Sequence, residues 1–136
     1  MCDYNIDESR ALPLSPEEIA FFGGNAGARA LYEALAARLR GAFPDARTRV
    51  QKTQISFDCA RLFACASLAP VRPKAQRPEP FLIVTFGLPY ALESPRALCV
   101  PVRPNRWTHH VIIGKAEDID GELMAWLQEA HDFANR

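Results

Sequence analysis

The chain has 136 residues, which is the size of one ordinary domain, and its 16 basic and 16 acidic side chains cancel. Apolar residues make up 49% and charged residues 24%, values typical of a globular protein and not of a disordered chain. The longest apolar runs have the length of a strand and the first ten residues are polar and acidic, so we expect no membrane span and no signal peptide.

The four cysteines are scattered along the chain without the spacing of a zinc site. In a chain with no export signal, such cysteines are expected to be reduced thiols in a cytoplasmic protein. No motif in the sequence indicates a metal site or a cofactor, and the sequence lacks the phosphate-binding glycine loop. The four cysteines are Cys2, Cys59, Cys65 and Cys99.

The first predicted helix follows a segment without apolar periodicity. Residues 1–14 are predicted to be a flexible arm, and residues 15–136 a single domain. Ser15 is a typical N-cap residue, and Glu18 three positions later completes a capping box. The helix is predicted to end at Gly23, where a glycine adopts positive φ without steric cost.

Two longer helices are predicted from apolar residues that recur every three or four positions. One runs from about Ala26 to Arg40 and is expected to stop at Gly41. The other starts near Glu117 and runs to about Phe133, with acidic residues in its first turn.

The middle of the chain is rich in β-branched and aromatic residues, which predict strands. The connections between them are too short for crossover helices, so neighbouring strands are expected to be antiparallel. The predicted fold is α+β: an antiparallel sheet of five to six strands, with two N-terminal helices and one C-terminal helix packed on one face. The predicted strands are Arg47–Lys52, Thr53–Asp58, Arg61–Ser67, Phe81–Leu88, Leu98–Arg103 and Trp107–Ile113. Tight turns between strands are predicted at residues 58–61 and at residues 103–106, the second with Pro104 and Asn105 at its centre.

Alternating polar residues suggest a binding surface on one predicted strand. In the string KTQISF, Lys52, Gln54 and Ser56 point to one face and the apolar residues to the other. A strand with one face in water produces the same alternation, so the pattern alone favours an ordinary solvated strand.

A second pattern is the string RWTHH, in which Arg106 and His110 share a face. Neighbouring residues on a strand point to opposite faces, so the adjacent histidines do not form a joint metal site. His109 is expected to be a buried structural histidine on the core side. His110 is expected to be accessible to solvent or to a ligand.

The zero net charge conceals a separation of charge along the chain. Residues 38–115 carry thirteen basic and four acidic side chains, whereas residues 116–136 carry one basic and six acidic ones. A basic region of this kind concentrates anions, although acidic helices lying over a basic sheet would neutralise it. Three of these thirteen basic residues lie in the proline-rich loop of residues 69–80.

Several strings together resemble a family of small bacterial domains of unknown function, found as single-domain proteins or at the C-terminus of larger ones. The resemblance extends from about Ile19 to Phe133. It implies one domain, a bacterial cytoplasmic setting, and a common constellation of Lys52, Gln54, Arg106 and His110, but no activity. The strings are FFGG (21–24), KTQISF (52–57), FGLP (86–89), SPR (94–96) and RWTHH (106–110).

These observations leave four functions open. The preferred one is a module that binds a small anionic or carbonyl-bearing ligand through charge-assisted hydrogen bonds. The alternatives are an enzyme with His110 as general acid and base, a protein that binds nucleic-acid phosphates, and an interaction domain such as a homodimer formed through an edge strand. The candidate ligand-binding residues are Lys52, Gln54, Ser56, Arg106 and His110.

Overall fold

A computed structural model describes residues 14–69 and 73–136 of the chain. Most of the predicted flexible arm therefore lies outside the described residues, as do residues 70–72 in the proline-rich loop. Leu14, the last residue assigned to the arm, packs against the core.

Six strands form one antiparallel sheet in the order β1-β2-β3-β4-β6-β5, which confirms the predicted α+β class. Every neighbouring pair is antiparallel, and the edges are β1 and β5. The strands are β1 (Arg47–Val50), β2 (Ile55–Asp58), β3 (Leu62–Ser67), β4 (Leu82–Leu88), β5 (Ala97–Arg103) and β6 (Arg106–Ile113).

Within the described residues, three α-helices share one buried apolar cluster with one face of this sheet, as the sequence predicts. Leu35 from the second helix and Leu127 from the third are both fully buried in that cluster, together with Val84 from the sheet. The helices are α1 (Pro16–Phe22), α2 (Ala26–Ala42) and α3 (Gly121–Ala134), and two short 3-10 helices span Lys74–Gln76 and Ala116–Asp118. None of the helices in the described ranges has the length and apolar character that crossing a membrane requires.

The start of α1 confirms the predicted capping box. The Ser15 hydroxyl accepts a hydrogen bond from the backbone N–H of Glu18, and the Glu18 carboxylate accepts one from the backbone N–H of Ser15. Gly23 ends the helix with φ +54°, as expected for a residue without a Cβ atom.

Three predicted boundaries are wrong. Lys52 and Gln54 lie in the turn between β1 and β2 and not on a strand, because the backbone N–H of Gln51 bonds the carbonyl of Gln54 and closes a hairpin. Gly41 lies inside α2, which ends at Ala42. The third helix begins at Gly121 and not near Glu117.

Candidate functional site

The sheet face opposite the helices carries a row of side chains that crosses four strands. Ser56 lies opposite Cys65, Cys65 opposite Thr85, and Thr85 opposite His110. Directly opposed residues in antiparallel strands point to the same face, so these four side chains belong to one surface. The Ser56 hydroxyl lies 3.8 Å from the Cys65 sulfur, and Thr85 Oγ1 lies 2.9 Å from His110 Nδ1.

The predicted polar residues on β2 do not meet those on β6 in one hollow. Ser56 and His110 share a face, but three strand spacings separate them, a distance of about 14 Å. The side chain of Gln54 bonds both Ser56 and Gln51, each at 3.2 Å, so these groups satisfy one another within the hairpin. Lys52 is exposed and lines a different cavity, of about 380 Å³.

A cleft does open at the end of the sheet where β4 finishes and β6 begins, between the sheet and the C-terminal end of α3. Its inner part is a cavity of about 120 Å³, lined among others by Cys65, Thr85, Gly87 and Thr108. Its outer part is a cavity of about 410 Å³ that is rich in arginine. The two parts share Leu62, Arg106, Phe133 and Ala134, and together we call them the arginine cleft.

Three arginines line the outer part of the arginine cleft. Arg103 and Arg106 lie directly opposite each other, because the turn between β5 and β6 has only Pro104 and Asn105 at its centre. Asn105 makes this tight turn possible with φ 62°, a conformation that asparagine adopts more readily than most residues. Arg61 comes from the neighbouring turn between β2 and β3.

The charges of these three arginines are not neutralised within the described part of the chain. No acidic side chain in residues 14–69 and 73–136 forms an ion pair with any of them. Like charges directly opposed on neighbouring strands destabilise a sheet, so the opposition of Arg103 and Arg106 costs free energy unless an anion lies between them. The arrangement therefore suits a ligand that carries negative charge.

Phe133 at the C-terminal end of α3 forms one wall of the arginine cleft. The guanidinium carbon of Arg106 lies 5.5 Å from the centre of its ring, which is within the range of a cation–π contact. Gly87 on β4 has no side chain below this guanidinium. A Cβ atom added at this position would meet Arg106 Nη2 at 3.8 Å, an ordinary contact distance, so the space below the guanidinium is open. An aromatic wall and a missing side chain thus shape the hollow between strand and helix.

His110 acts on the cleft through Thr85. Burial lowers the pKa of His110 below its ordinary value of 6.5, so the ring is neutral at neutral pH. A neutral ring with its proton on Nε2 accepts a hydrogen bond at Nδ1 from the Thr85 hydroxyl. Thr85 itself lines the inner cavity.

His109 lies on the opposite, core side, as predicted. It is fully buried, its ring stacks on Phe86 with centroids 5.3 Å apart, and its Nε2 accepts a hydrogen bond from the backbone N–H of Leu92. Burial lowers the pKa of His109, so this histidine is a neutral structural group.

Other chemistry in the cleft is limited. Burial raises the pKa of the Cys65 thiol, which keeps it in the protonated and weakly nucleophilic form. Within residues 14–69 and 73–136, no group of three or more His, Cys, Asp or Glu side chains is placed to hold a metal ion.

Of the five predicted site residues, Arg106 alone lines the arginine cleft, and the sequence reasoning missed the residues around it. Both Arg61 and Arg103 stand in or beside turns that the sequence does predict. What it does not reveal is that these two turns meet at the same end of the sheet. Thr85 carries no sequence signal beyond its place in a strand, and Gly87 belongs to the FGLP string, which the sequence reasoning did not connect with a site.

Residues 19–134 match a protein family described as a domain of unknown function (DUF5655). This confirms the kind of family that the sequence strings indicate. Neither the curated proteins nor the solved structures include a match to the chain. The matched range contains the whole arginine cleft, including Phe133.

Proposed function

We propose that this chain, which belongs to the DUF5655 family of domains of unknown function, binds a small anionic ligand in the arginine cleft. The observation that carries the proposal is the set of three arginines, Arg61, Arg103 and Arg106, around one cavity with no acidic partner in the described residues. The planar guanidinium group forms paired hydrogen bonds with phosphate and carboxylate oxygens.

The other arginines of the sheet and helices support this assignment by contrast. Arg96 bonds Asp120 and Glu122 at the start of α3, and Arg49 bonds Asp58 at 3.0 Å. Acidic residues thus neutralise basic ones elsewhere in the fold, as one interpretation of the charge pattern predicts. Arg61, Arg103 and Arg106 have no such acidic partner among the described residues, and all three line one cavity.

The test is a titration with inorganic phosphate at low salt, measured by isothermal titration calorimetry. We expect Arg106→Gln to weaken phosphate binding by about 10- to 100-fold, the effect of losing a hydrogen bond to a charged group. Arg106 is the residue to change because it lines both parts of the cleft.

The matched control is Arg29→Gln on α2. Gly27, two positions before Arg29 in the first turn of this helix, lies next to Pro80, just before β4 begins. Arg29 therefore lies at the end of the sheet away from the arginine cleft. Phosphate affinity is expected to be unchanged in this variant. Equal weakening by the two substitutions, or no phosphate binding by the unmodified protein at millimolar concentration, contradicts the proposal.

A second candidate is an enzyme with His110 as general acid and base. It is favoured by the 2.9 Å contact between His110 Nδ1 and the hydroxyl of Thr85, a cavity-lining group that a neutral histidine can deprotonate. His110→Ala distinguishes the candidates: a binding module loses at most affinity, whereas an enzyme loses turnover of a bound phosphate or carboxylate ester.

Nucleic-acid binding makes a different prediction from a small-ligand site. Contacts with several backbone phosphates give an affinity that falls steeply with salt, whereas one bound anion gives a shallow dependence. Gel retardation of an oligonucleotide with a steep salt dependence contradicts the small-ligand proposal.

We also propose a bacterial cytoplasmic setting. The three described cysteines, Cys59, Cys65 and Cys99, are free thiols, which agrees with a reducing compartment.

A further inference from the structure

The arginine cleft has two chemically different parts, and this difference determines which kind of anion fits the whole cleft. The outer part has the three guanidinium groups. The inner part is bounded by apolar side chains, including Phe63 and Phe86, and by Ala130 from α3. A simple inorganic anion fills only the outer part.

The inner cavity has a volume of about 120 Å³. This is room for roughly eight water-sized atoms, enough for one six-membered ring. Its polar residues are few: Cys65, Thr85, Thr108, and Arg106, which it shares with the outer part. A mostly apolar pocket with a small number of placed polar groups is the usual form of a site for a small organic ligand.

The number of arginines indicates the charge of the acid group. A carboxylate carries one negative charge, whereas a phosphate monoester carries between one and two at pH 7 and offers three acceptor oxygens. Three guanidinium groups, two of them directly opposed on neighbouring strands, match the phosphate better in charge and in the number of acceptors.

Resting on the proposed function, we propose that the ligand of the arginine cleft is a phosphate monoester of a small apolar alcohol. The phosphate lies among Arg61, Arg103 and Arg106, and the apolar group enters the inner cavity beside Gly87. Charge complementarity holds one end of the ligand, and removal of apolar surface from water stabilises the other.

The experiment compares two probes, inorganic phosphate and phenyl phosphate, by calorimetry on the full chain. Phenyl phosphate is expected to bind at least tenfold more tightly than inorganic phosphate, because the transfer of its ring from water into the inner cavity is favourable. Benzoate has the same ring with a single negative charge and is expected to bind more weakly than phenyl phosphate.

Gly87→Ala tests the inner cavity directly. A Cβ atom at this position meets its nearest neighbours at 3.7 and 3.8 Å, ordinary contact distances, so the strand accommodates it. The new methyl group narrows the inner cavity and is expected to lower the affinity for phenyl phosphate more than the affinity for inorganic phosphate, so that most of the advantage of phenyl phosphate is lost. Gly87→Val introduces a larger side chain and is expected to reduce the advantage of phenyl phosphate further.

Each outcome separates the two proposals. If inorganic phosphate binds but phenyl phosphate gains nothing, or if both Gly87 variants keep its advantage while remaining folded in thermal denaturation, the monoester inference is wrong and the anion site stands. If benzoate binds as tightly as phenyl phosphate, the assignment of a phosphate group is wrong. If neither phosphate compound binds, the proposed function itself fails.

Discussion

At the scale of single residues, the two adjacent histidines show how strand alternation separates chemical roles. His109 and His110 are both kept neutral by burial, but one bonds a backbone N–H in the core and the other bonds Thr85 beside the cleft. The sequence predicts this division, because successive side chains on a strand point to opposite faces. The partner of His110 comes from β4 and is apparent only in the folded molecule.

This contact predicts that anion affinity depends on pH. Protonated His110 has an N–H at Nδ1 and therefore donates to Thr85 Oγ1, which frees the Thr85 hydroxyl to donate into the cleft. The added positive charge acts in the same direction. We expect the affinity for sulfate, whose charge is constant between about pH 5 and 8, to increase as the pH falls through the lowered pKa of His110.

The measurement is a series of calorimetric titrations with sulfate across this pH range. The groups that face His110 from neighbouring strands are Thr85 on β4 and Leu98 on β5, neither of which titrates here. His110→Gln is expected to flatten the profile. A profile that remains steep in this variant shows that another group is responsible.

At the scale of secondary-structure elements, α1 is attached to α2 by a buried carboxylate. Glu18 is 2% exposed, accepts a hydrogen bond from the Tyr32 hydroxyl, and pairs with Arg40 at 3.1 Å. Burial opposes its ionisation, but these partners and Ser15 outweigh it and lower the pKa of Glu18 below 4.5. Burial raises the pKa of Tyr32, and the hydrogen bond to Glu18 acts in the same direction.

Removing the hydroxyl that bonds this carboxylate is expected to destabilise the fold. Tyr32→Phe leaves a buried charge with one donor fewer, which costs about 1.5–3 kcal/mol in the free energy of unfolding at neutral pH. Since the folded-state pKa of Glu18 is lowered, its contribution is present above the ordinary value of 4.5 and is lost as the pH falls through the folded-state pKa. The difference between variant and unmodified protein is therefore expected to shrink in acid.

Urea denaturation at neutral and acidic pH measures this effect. The chain provides a control in Tyr90, whose hydroxyl bonds Glu129 at 2.8 Å on the surface. Tyr90→Phe is expected to change the free energy of unfolding by less than about 0.5 kcal/mol. Similar losses in the two variants refute a special role for the buried pair.

At the scale of the whole molecule, stability comes from one apolar layer between the helices and the sheet. Leu35 on α2 is fully buried in this layer. We expect Leu35→Ala to reduce the free energy of unfolding by about 2–5 kcal/mol, through lost burial and the cavity left behind. Urea denaturation measures it. Val102→Ala, at a position 52% exposed on β5, is expected to cost less than about 0.5 kcal/mol, and an equal cost argues against a single core.

The distribution of charge is also a property of the whole molecule. A net charge of zero excludes a generally basic protein. In the fold, however, the acidic start of α3 neutralises Arg96, and Glu18 neutralises Arg40. Three arginines at one end of the sheet remain without such partners among the described residues, which gives a neutral molecule a local cluster of positive charge.

Local patterns in the sequence were sufficient for the elements and the fold class. The capping box at Ser15 and Glu18, the tight turn at Asn105 and the opposite faces of His109 and His110 all depend on residues close together in the chain. Such features follow from backbone sterics and side-chain periodicity, which operate over a few residues. Boundaries were less exact where a turn competed with a strand, as at Lys52.

The arginine cleft depends on distances that the linear sequence does not contain. The sequence predicts neither that β6 pairs with β4 nor that Arg61 and Arg106 approach the same cavity from turns 45 positions apart. Strand order is chosen by how apolar faces across the whole chain are buried together, which is a property of the packed molecule. The residues of this protein thus specify their own local conformation, whereas the meeting of three like charges around a hollow results from packing.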